Sequence, residues 1–421
     1  MTDVKPFRGL RYDPARVELG RVLAPVYDVV APEDRATYYD RDPHNAIRLE
    51  LTRSVEQEAT TDYADVAELL SSWRSDGVLR RDTEPALYVL RQQFTAPDGR
   101  SLARVGFFGA LRLEDYARRI VRPHERTLAG PKADRLKILR ATRTNLSSVF
   151  LLYEDRDRKL DALLEGALTS AEAVEARDDA GVVHRLAPLR DPSAVAELCR
   201  FLDSRSVVIA DGHHRYETAL AYRDERRAEG SGETAAPSGR ILAYFANAFA
   251  EGNLLLPIHR LVVRGAAPDD AGWARLAGWE ERRLSVSDPE SVAAAIRDEL
   301  SPIADRYAFA ADDGSGTLRI FSRPAEQELC VRVIHREVLG QLLGIDDAAV
   351  AGGAVAFPKS ALQTARDVRS GRGVLALYLN PLLPDDVFRV TEAGETLPQK
   401  STFFSPKLPT GLLFRVLEAE A

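Results

Sequence analysis

Val207-Val208-Ile209-Ala210-Asp211-Gly212-His213-His214-Arg215-Tyr216-Glu217-Thr218-Ala219-Leu220 is the stretch from which the fold is read. Its first four residues are small or β-branched and apolar, the pattern of a buried strand. Tyr216, Ala219 and Leu220 then fall at i, i+3 and i+4, one face of a helix. Between strand and helix lies a tight turn with an acid, a glycine, two histidines and an arginine. Gly212 lets the backbone turn sharply or approach a ligand closely. The first helical turn carries N–H groups without intrahelical partners and the positive dipole end, which together favour anions. Arg215 adds a planar fork suited to phosphate oxygens. The bland alternative is an N-cap, Asp211, followed by solvated polar side chains.

The two histidines are adjacent, so on a helix they point roughly 100° apart. They cannot grip one metal as an i, i+4 pair would, and no HExxH occurs. A permanent zinc site is therefore not expected. A Mg²⁺ shared with a phosphate needs only one or two carboxylates, and Asp211 is the candidate to supply one.

Working outward, strand and helix patterns alternate, which predicts an α/β protein of mixed α+β character. Residues 86–94 and 101–111 read as a hairpin turned by Pro97-Asp98-Gly99. Residues 46–51, 147–153, 240–249, 254–263, 307–311, 318–322, 328–334 and 374–379 read as strands. Residues 174–186 read as a strand pair. Helices are expected over 60–73, 131–143, 158–169, 192–202, 289–300, 336–343 and 359–368, and a charged loop over 224–239. Character changes near residues 115 and 265. Three segments are expected: an α+β part at 1–115, a phosphate-binding core at 116–264 and an α/β part at 265–421.

The 421 residues carry 45% hydrophobic and 29% charged side chains, a normal globular balance. The formal net charge of −7 argues against a general nucleic-acid binder. Two separated cysteines form no CxxC, so zinc and disulfide frameworks are not expected. The amino terminus has no apolar signal core, and no run of 18 apolar residues occurs. A cytoplasmic protein without membrane spans is expected. Walker A, GxSxG and GxGxxG patterns are absent.

Three further places carry chemistry. His124-Glu125 lies on a proline-flanked loop near Arg122, Arg126 and Lys132. Glu125 is able to serve as general base toward a hydroxyl, or is a loop acid paired with an arginine. Lys400 and Lys407 lie in Leu397–Leu412, where lysines, hydroxyls and a Phe-Phe pair are interleaved with prolines. They are phosphate contacts or solvated loop lysines. His259, on an expected strand, is a substrate contact or a satisfied core histidine.

Five segments in one order carry a resemblance: Pro6-Phe7-Arg8-Gly9-Leu10-Arg11, Pro25-Val26-Tyr27-Asp28-Val29-Val30, Arg122-Pro123-His124-Glu125-Arg126-Thr127, Ile209 to Glu217, and Pro398 to Gly411. Together they resemble the family called domain of unknown function 1015, also termed SerC-like through association with serine metabolism. The match spans residue 6 to about 416. Asp211-Gly212-His213-His214-Arg215-Tyr216 also resembles the phosphate-binding turn of the ParB/sulfiredoxin superfamily. His213 stands where sulfiredoxins have their reactive cysteine, which excludes sulfinic-acid reduction. Free-serine kinases of that superfamily have a Pro-His-Glu segment upstream of such a turn, and Pro123-His124-Glu125 matches it.

This resemblance implies a ParB/sulfiredoxin-like core with Glu125, His124 and His214 as catalytic residues. Asp211, Gly212, His213, His214, Arg215, Lys400 and Lys407 would hold phosphate or nucleotide. Arg122, Thr127, Tyr216 and His259 would contact substrate. The implied activity is phosphoryl transfer between free L-serine or phosphoserine and a nucleotide or pyrophosphate, with Mg²⁺. The phosphoserine-to-serine direction is included. A ParB-like nucleotide-binding switch without a small-molecule acceptor, and a phosphatase of a phosphorylated metabolite, are the alternatives. Donor, direction and oligomeric state, a homodimer included, are open.

Overall fold

The computed structural model describes residues 1–58, 60–125, 130–230, 237–398 and 400–418. The chain forms two compact units. The first comprises Met1–Leu254, Val390–Thr396 and Pro406–Ala421; the second comprises Leu255–Arg389 and Leu397–Ser405. Residues 1–254 thus lie in one unit, with two short stretches from the carboxyl-terminal part of the chain. The mixed α/β class is as expected.

The first unit is built on a nine-stranded mixed sheet. Its strands in chain order are β1 Val4–Lys5, β2 Leu87–Thr95, β3 Ser101–Arg112, β4 Val121–Arg122, β5 Val149–Tyr153, β6 Val174–Arg177, β7 Val183–Leu189, β8 Val207–Asp211 and β9 Arg240–Asn247. Their order across the sheet is β4-β8-β5-β9-β3-β2-β7-β6, with β1 paired to β3. The β2–β3 hairpin is antiparallel, whereas β4 runs parallel to β8 and β5 parallel to β9. Val149 to Tyr153 are at most 1% exposed. An apolar run without alternation is what a strand covered on both faces requires. On one face Val149, Leu151, Val207, Ile209 and Phe245 pack with Leu198 and Leu202 of helix α1, Pro192–Asp203, and Tyr216 and Ala219 of helix α2, His213–Ala228.

The second unit holds a six-stranded antiparallel sheet. Its strands are β10 Arg260–Val262, β11 Glu280–Ser285, β12 Arg306–Asp312, β13 Thr317–Pro324, β14 Val355–Ala356 and β15 Leu375–Leu379, ordered β11-β13-β12-β15-β10-β14. Val292 and Ile296, with Ala365 and Val368 of the helix Ala361–Arg369, cover one face through Ala310, Ile320 and Tyr378.

Several local readings are corrected. Residues 46–51 contain a helical turn, Ile47–Glu50, because the Asn45 side chain accepts the Ile47 N–H and donates to the Arg21 and Leu23 carbonyls. The run 328–334 is helical from Cys330: Val331, Ile334 and Val338 are buried at helical spacing, which overrides their β-branched preference. The expected strand 254–263 breaks at Pro257 into Leu254–Leu256 and Arg260–Val262. The expected loop from 224 begins as helix to Ala228, where Arg140 holds Glu225 and Arg223 holds Asp224. Among the described residues no helix is long and apolar enough to cross a membrane.

Candidate functional site

Parallel pairing of β4 with β8, Val121 opposite Val207 and Arg122 opposite Val208, explains how distant sequence segments meet. Both strands end at the same edge, so Pro123-His124-Glu125 leaves β4 beside the turn that leaves β8. Ligands of α/β sheets gather at such carboxyl ends. A bulge between Ile209 and Asp211 against β5 re-aims the end of β8.

His124 is 2% exposed. Its Nδ1 lies 2.5 Å from the Ile209 carbonyl oxygen, which can only accept, so Nδ1 carries the proton. The His124 backbone N–H donates to His213 Nε2 at 3.2 Å. His213 therefore keeps its proton on Nδ1, which faces Glu125 Oε1 at 3.4 Å. The Glu125 side chain remains 36% exposed. The strand pairing thus brings His124, Glu125 and His213 together, and their ligand-capable atoms lie within 4.8 Å of one another. These three side chains are a candidate set for one divalent ion, which would have to draw the ligand atoms together and replace the proton between His213 and Glu125. Considering the adjacent pair His213-His214 alone misses this grouping.

Burial, then the neighbouring His213, lowers the pKa of His124 to about 4. Burial is also the main cause that lowers His214, opposed by Glu217 and Glu125. His124 is thus neutral at pH 7. Unfolded, it takes a proton near 6.5; folded, only near 4. The unfolded chain binds more protons between these values, so stability falls as pH drops from about 6.5 to about 4. The contribution is on the order of 3 kcal/mol. Urea unfolding of wild type and His124→Asn at pH 7 and pH 4.5 measures it: the variant should lose less stability on acidification. Equal losses would show that His124 is not held neutral by the fold.

Gly212 caps α2 in the left-handed region, at φ +90°. A Cβ there would lie 2.9 Å from Arg215 Nε. The backbone therefore requires glycine, and a Cβ would also press on the Arg215 guanidinium. Gly212→Ala should destabilise by about 1–3 kcal/mol, read as a lower urea midpoint; an unchanged midpoint would contradict the left-handed turn.

Arg215, expected as a phosphate fork, folds back into the protein. Its Nη1 donates to the Ser148 carbonyl and its Nη2 to Asp211 Oδ2 at 2.9 Å. Lys407 Nζ meets Asp211 Oδ1 at 2.9 Å. Burial pushes the Asp211 pKa up, but Lys407, Arg215 and His213 more than offset this and hold it well below the usual carboxylate range. Each Asp211 oxygen already faces a cation, so a Mg²⁺ held there would compete with Lys407 and Arg215 for the carboxylate.

Asp28, in the Pro25–Val30 segment, has a role that the sequence alone does not reveal. It lies at an exposed rim, yet protein crowded around its carboxyl, and then the Asp211 carboxylate, raise its pKa, against Arg215 and Lys407. The two acids are pushed apart: Asp211 stays ionised, and Asp28 holds a proton more readily. The signal was the compact Pro25–Val30 segment itself. Below it, Tyr27 stacks on Arg135, which pairs with Glu50 at 2.9 Å.

The remaining predicted residues are scattered in role. Tyr216 is fully buried, exchanging hydrogen bonds between its hydroxyl and the Glu114 backbone. Arg122 is 8% exposed, and burial lowers its pKa. His259, expected to touch substrate, is a 1% exposed histidine of the second unit; it accepts the Leu379 N–H at 3.4 Å. Lys400 is exposed and also belongs to the second unit. Thr127 lies outside the described residues.

The family model described as "Protein of unknown function (DUF1015)" matches residues 4–277. The chain belongs to the DUF1015 family. No curated protein matches it. Among solved structures, this DUF1015 member is similar to a conserved hypothetical protein from Pyrococcus furiosus. That match has 15% identity and a TM-score of 0.31, covering 69% of this chain and 90% of that one. It is also similar to a free serine kinase in complex with AMP, at 13% identity and TM-score 0.33, covering 71% and 88%. SbnI with C-terminal truncation from Staphylococcus aureus matches at 10% identity and TM-score 0.33, covering 72% and 85%.

Proposed function

We propose that this protein transfers a phosphoryl group between a nucleotide or pyrophosphate and a small hydroxy amino acid, L-serine or its phosphate ester. The observation that carries the reading is the Glu125 carboxylate, partly exposed and faced by the His213 Nδ1 proton, at the amino end of α2. A carboxylate there is positioned to take a hydroxyl proton. The α2 amino end, whose N-cap Gly212 has no side chain to cap it, offers N–H groups and a positive dipole to phosphate oxygens. Lys407 borders a cavity of about 340 Å³ with Ala24, Pro25 and Tyr38, within the size range of small-molecule sites. Catalysis by positioning and charge neutralisation suits phosphoryl transfer, which asks for little covalent chemistry from the protein.

The deciding experiment incubates the full chain with serine or phosphoserine and each of ATP, ADP, CTP and pyrophosphate, following phosphorus by NMR. Transfer with one donor supports the reading. Nucleotide binding without transfer would favour a switch, and phosphate release from phosphoserine without an acceptor would favour a phosphatase; either result removes the kinase reading.

Lys407 gives a further test. Deleting the tail is unsuitable, because Phe414 and Val416 are core residues and Arg415–Val416 pairs with Thr144–Asn145. Lys407→Met should weaken donor binding by about 1.5 kcal/mol, near the lower end for a charged hydrogen bond, since Asp211 already engages the ammonium. Calorimetric titration reads this as a roughly tenfold higher Kd. An unchanged Kd would take Lys407 out of the phosphate site.

A further inference from the structure

The second unit contains a cavity of about 320 Å³, lined wholly by its own residues. Two polar side chains in its wall are more than nine-tenths buried, Arg260 at 1% and Ser401 at 8% exposure. Arg260 Nη2 and Ser401 Oγ have no hydrogen-bond partner among the described residues. Arg260 Nε donates to His335 Nε2 at 3.1 Å, and Nη1 donates to the Ile258 carbonyl. His335 accepts and is neutral, its pKa lowered to about 4 by burial and then by Arg260. Other arginines of this unit hold carboxylates: Arg323 with Glu337, Arg369 with Asp312, Arg319 with Glu281. Among the described residues Arg260 meets only neutral partners, His335, the Ile258 carbonyl and the Phe357 ring, and burial lowers its pKa to about 10. A buried guanidinium without a counter-ion is costly, and an anion from solution relieves that cost.

The surroundings select which anion. Glu326, Glu328 and Asp386 also border the cavity, as do Arg389 and Arg306, the latter held by Glu280 at 2.9 Å. Glu328 is held by Arg336 and Asp386 by Arg389, while Glu326 is exposed. Acids around a single uncompensated guanidinium disfavour a phosphate dianion more than a monoanion. Ile258, Ile303, Leu329 and Leu379 supply an apolar wall. The volume lies at the lower end for small-molecule sites, which favours a small metabolite. We propose that this cavity binds a small organic monocarboxylate, with the carboxylate on Arg260 Nη2 and the Ser401 hydroxyl and the apolar body against the isoleucines and leucines. This site is independent of the phosphoryl-transfer reading.

The test titrates the full-length protein with isovalerate, L-leucine and inorganic phosphate by calorimetry, and follows Tm in parallel. At least one of the two carboxylates should bind at one site per chain and raise Tm, with phosphate at least tenfold weaker. Arg260→Met should raise the Kd at least tenfold without lowering the Tm of the ligand-free protein, because it fills the space and removes a buried charge. Ser401→Ala should raise the Kd severalfold, and it decides the question if Arg260→Met does not fold. The proposal is overturned if neither carboxylate binds, if phosphate binds as tightly, or if the folded variants bind as wild type does. It is also overturned if Arg260→Met lowers the ligand-free Tm while wild type binds nothing, which would make the guanidinium a purely structural group.

Discussion

Glu125→Gln should lower turnover in serine phosphorylation by about 100- to 10,000-fold, the usual contribution of a general base. Glutamine keeps the shape of the side chain and can still accept from His213 Nδ1, which faces Glu125 Oε1 at 3.4 Å. It cannot accept the hydroxyl proton as a carboxylate does. Because His124 and His213 are fixed by the backbone, through the Ile209 carbonyl and the His124 N–H, the substitution should leave the fold and donor affinity nearly unchanged. Rate measurements at saturating donor, with a separate donor titration, distinguish lost chemistry from lost binding. Wild-type turnover in the variant would place the base elsewhere and remove the main support for the kinase reading.

Asp211→Ala should destabilise the protein by about 3 kcal/mol, near the lower end for breaking a buried ion pair by removing one partner. Asp211 neutralises two cations at once, Lys407 on Oδ1 and Arg215 on Oδ2, each at 2.9 Å. Its removal leaves Arg215, 9% exposed, beside Lys407 without that carboxylate. Partial exposure of Asp211 and Lys407, at 20% and 22%, keeps the effect from being larger. Urea unfolding at pH 7 measures it, and Lys407→Met in the same background should restore part of the loss. The pH dependence has a defined sign. Asp211 has a lowered folded pKa, so its stabilisation is present above its unfolded value, 3.8, and is lost as pH falls through the folded one. Wild type and variant should therefore converge in strong acid. A loss under about 0.5 kcal/mol at pH 7, the scale of ordinary surface substitutions, would mean that the two cations do not depend on Asp211.

Much of the central architecture was legible because it is local. Val207–Ala210 is an unbroken apolar run, Gly212 supplies a φ that other residues resist, and Tyr216, Ala219 and Leu220 repeat at helical spacing. The β2–β3 hairpin was equally local, with alternating or unbroken apolar residues on both sides of Pro97-Asp98-Gly99. The errors arose where tertiary packing outweighed propensity. Val331, Ile334 and Val338 suit a strand singly, yet they bury one helical face. Residues 46–51 follow the hydrogen bonds of Asn45 to a distant carbonyl pair.

The sequence by itself determined the chemistry available: a His-Glu segment, an Asp-Gly-His-His-Arg turn and lysines near the carboxyl end. It also marked the five ordered segments by which the family was expected. Only the tertiary structure decided which of these residues meet and what each is free to do. Parallel pairing of β4 with β8 sets His124 and Glu125 beside His213, and pairing between strands so far apart in the chain leaves no periodic trace in either one. The same holds for charge. Arg215 and Lys407 look alike as phosphate ligands when read singly, but burial turns one inward onto Asp211 and Ser148 and leaves the other partly exposed at a cavity. Residue type sets what a side chain can bond; desolvation and the nearest opposite charge, both fixed by folding, set what it does bond.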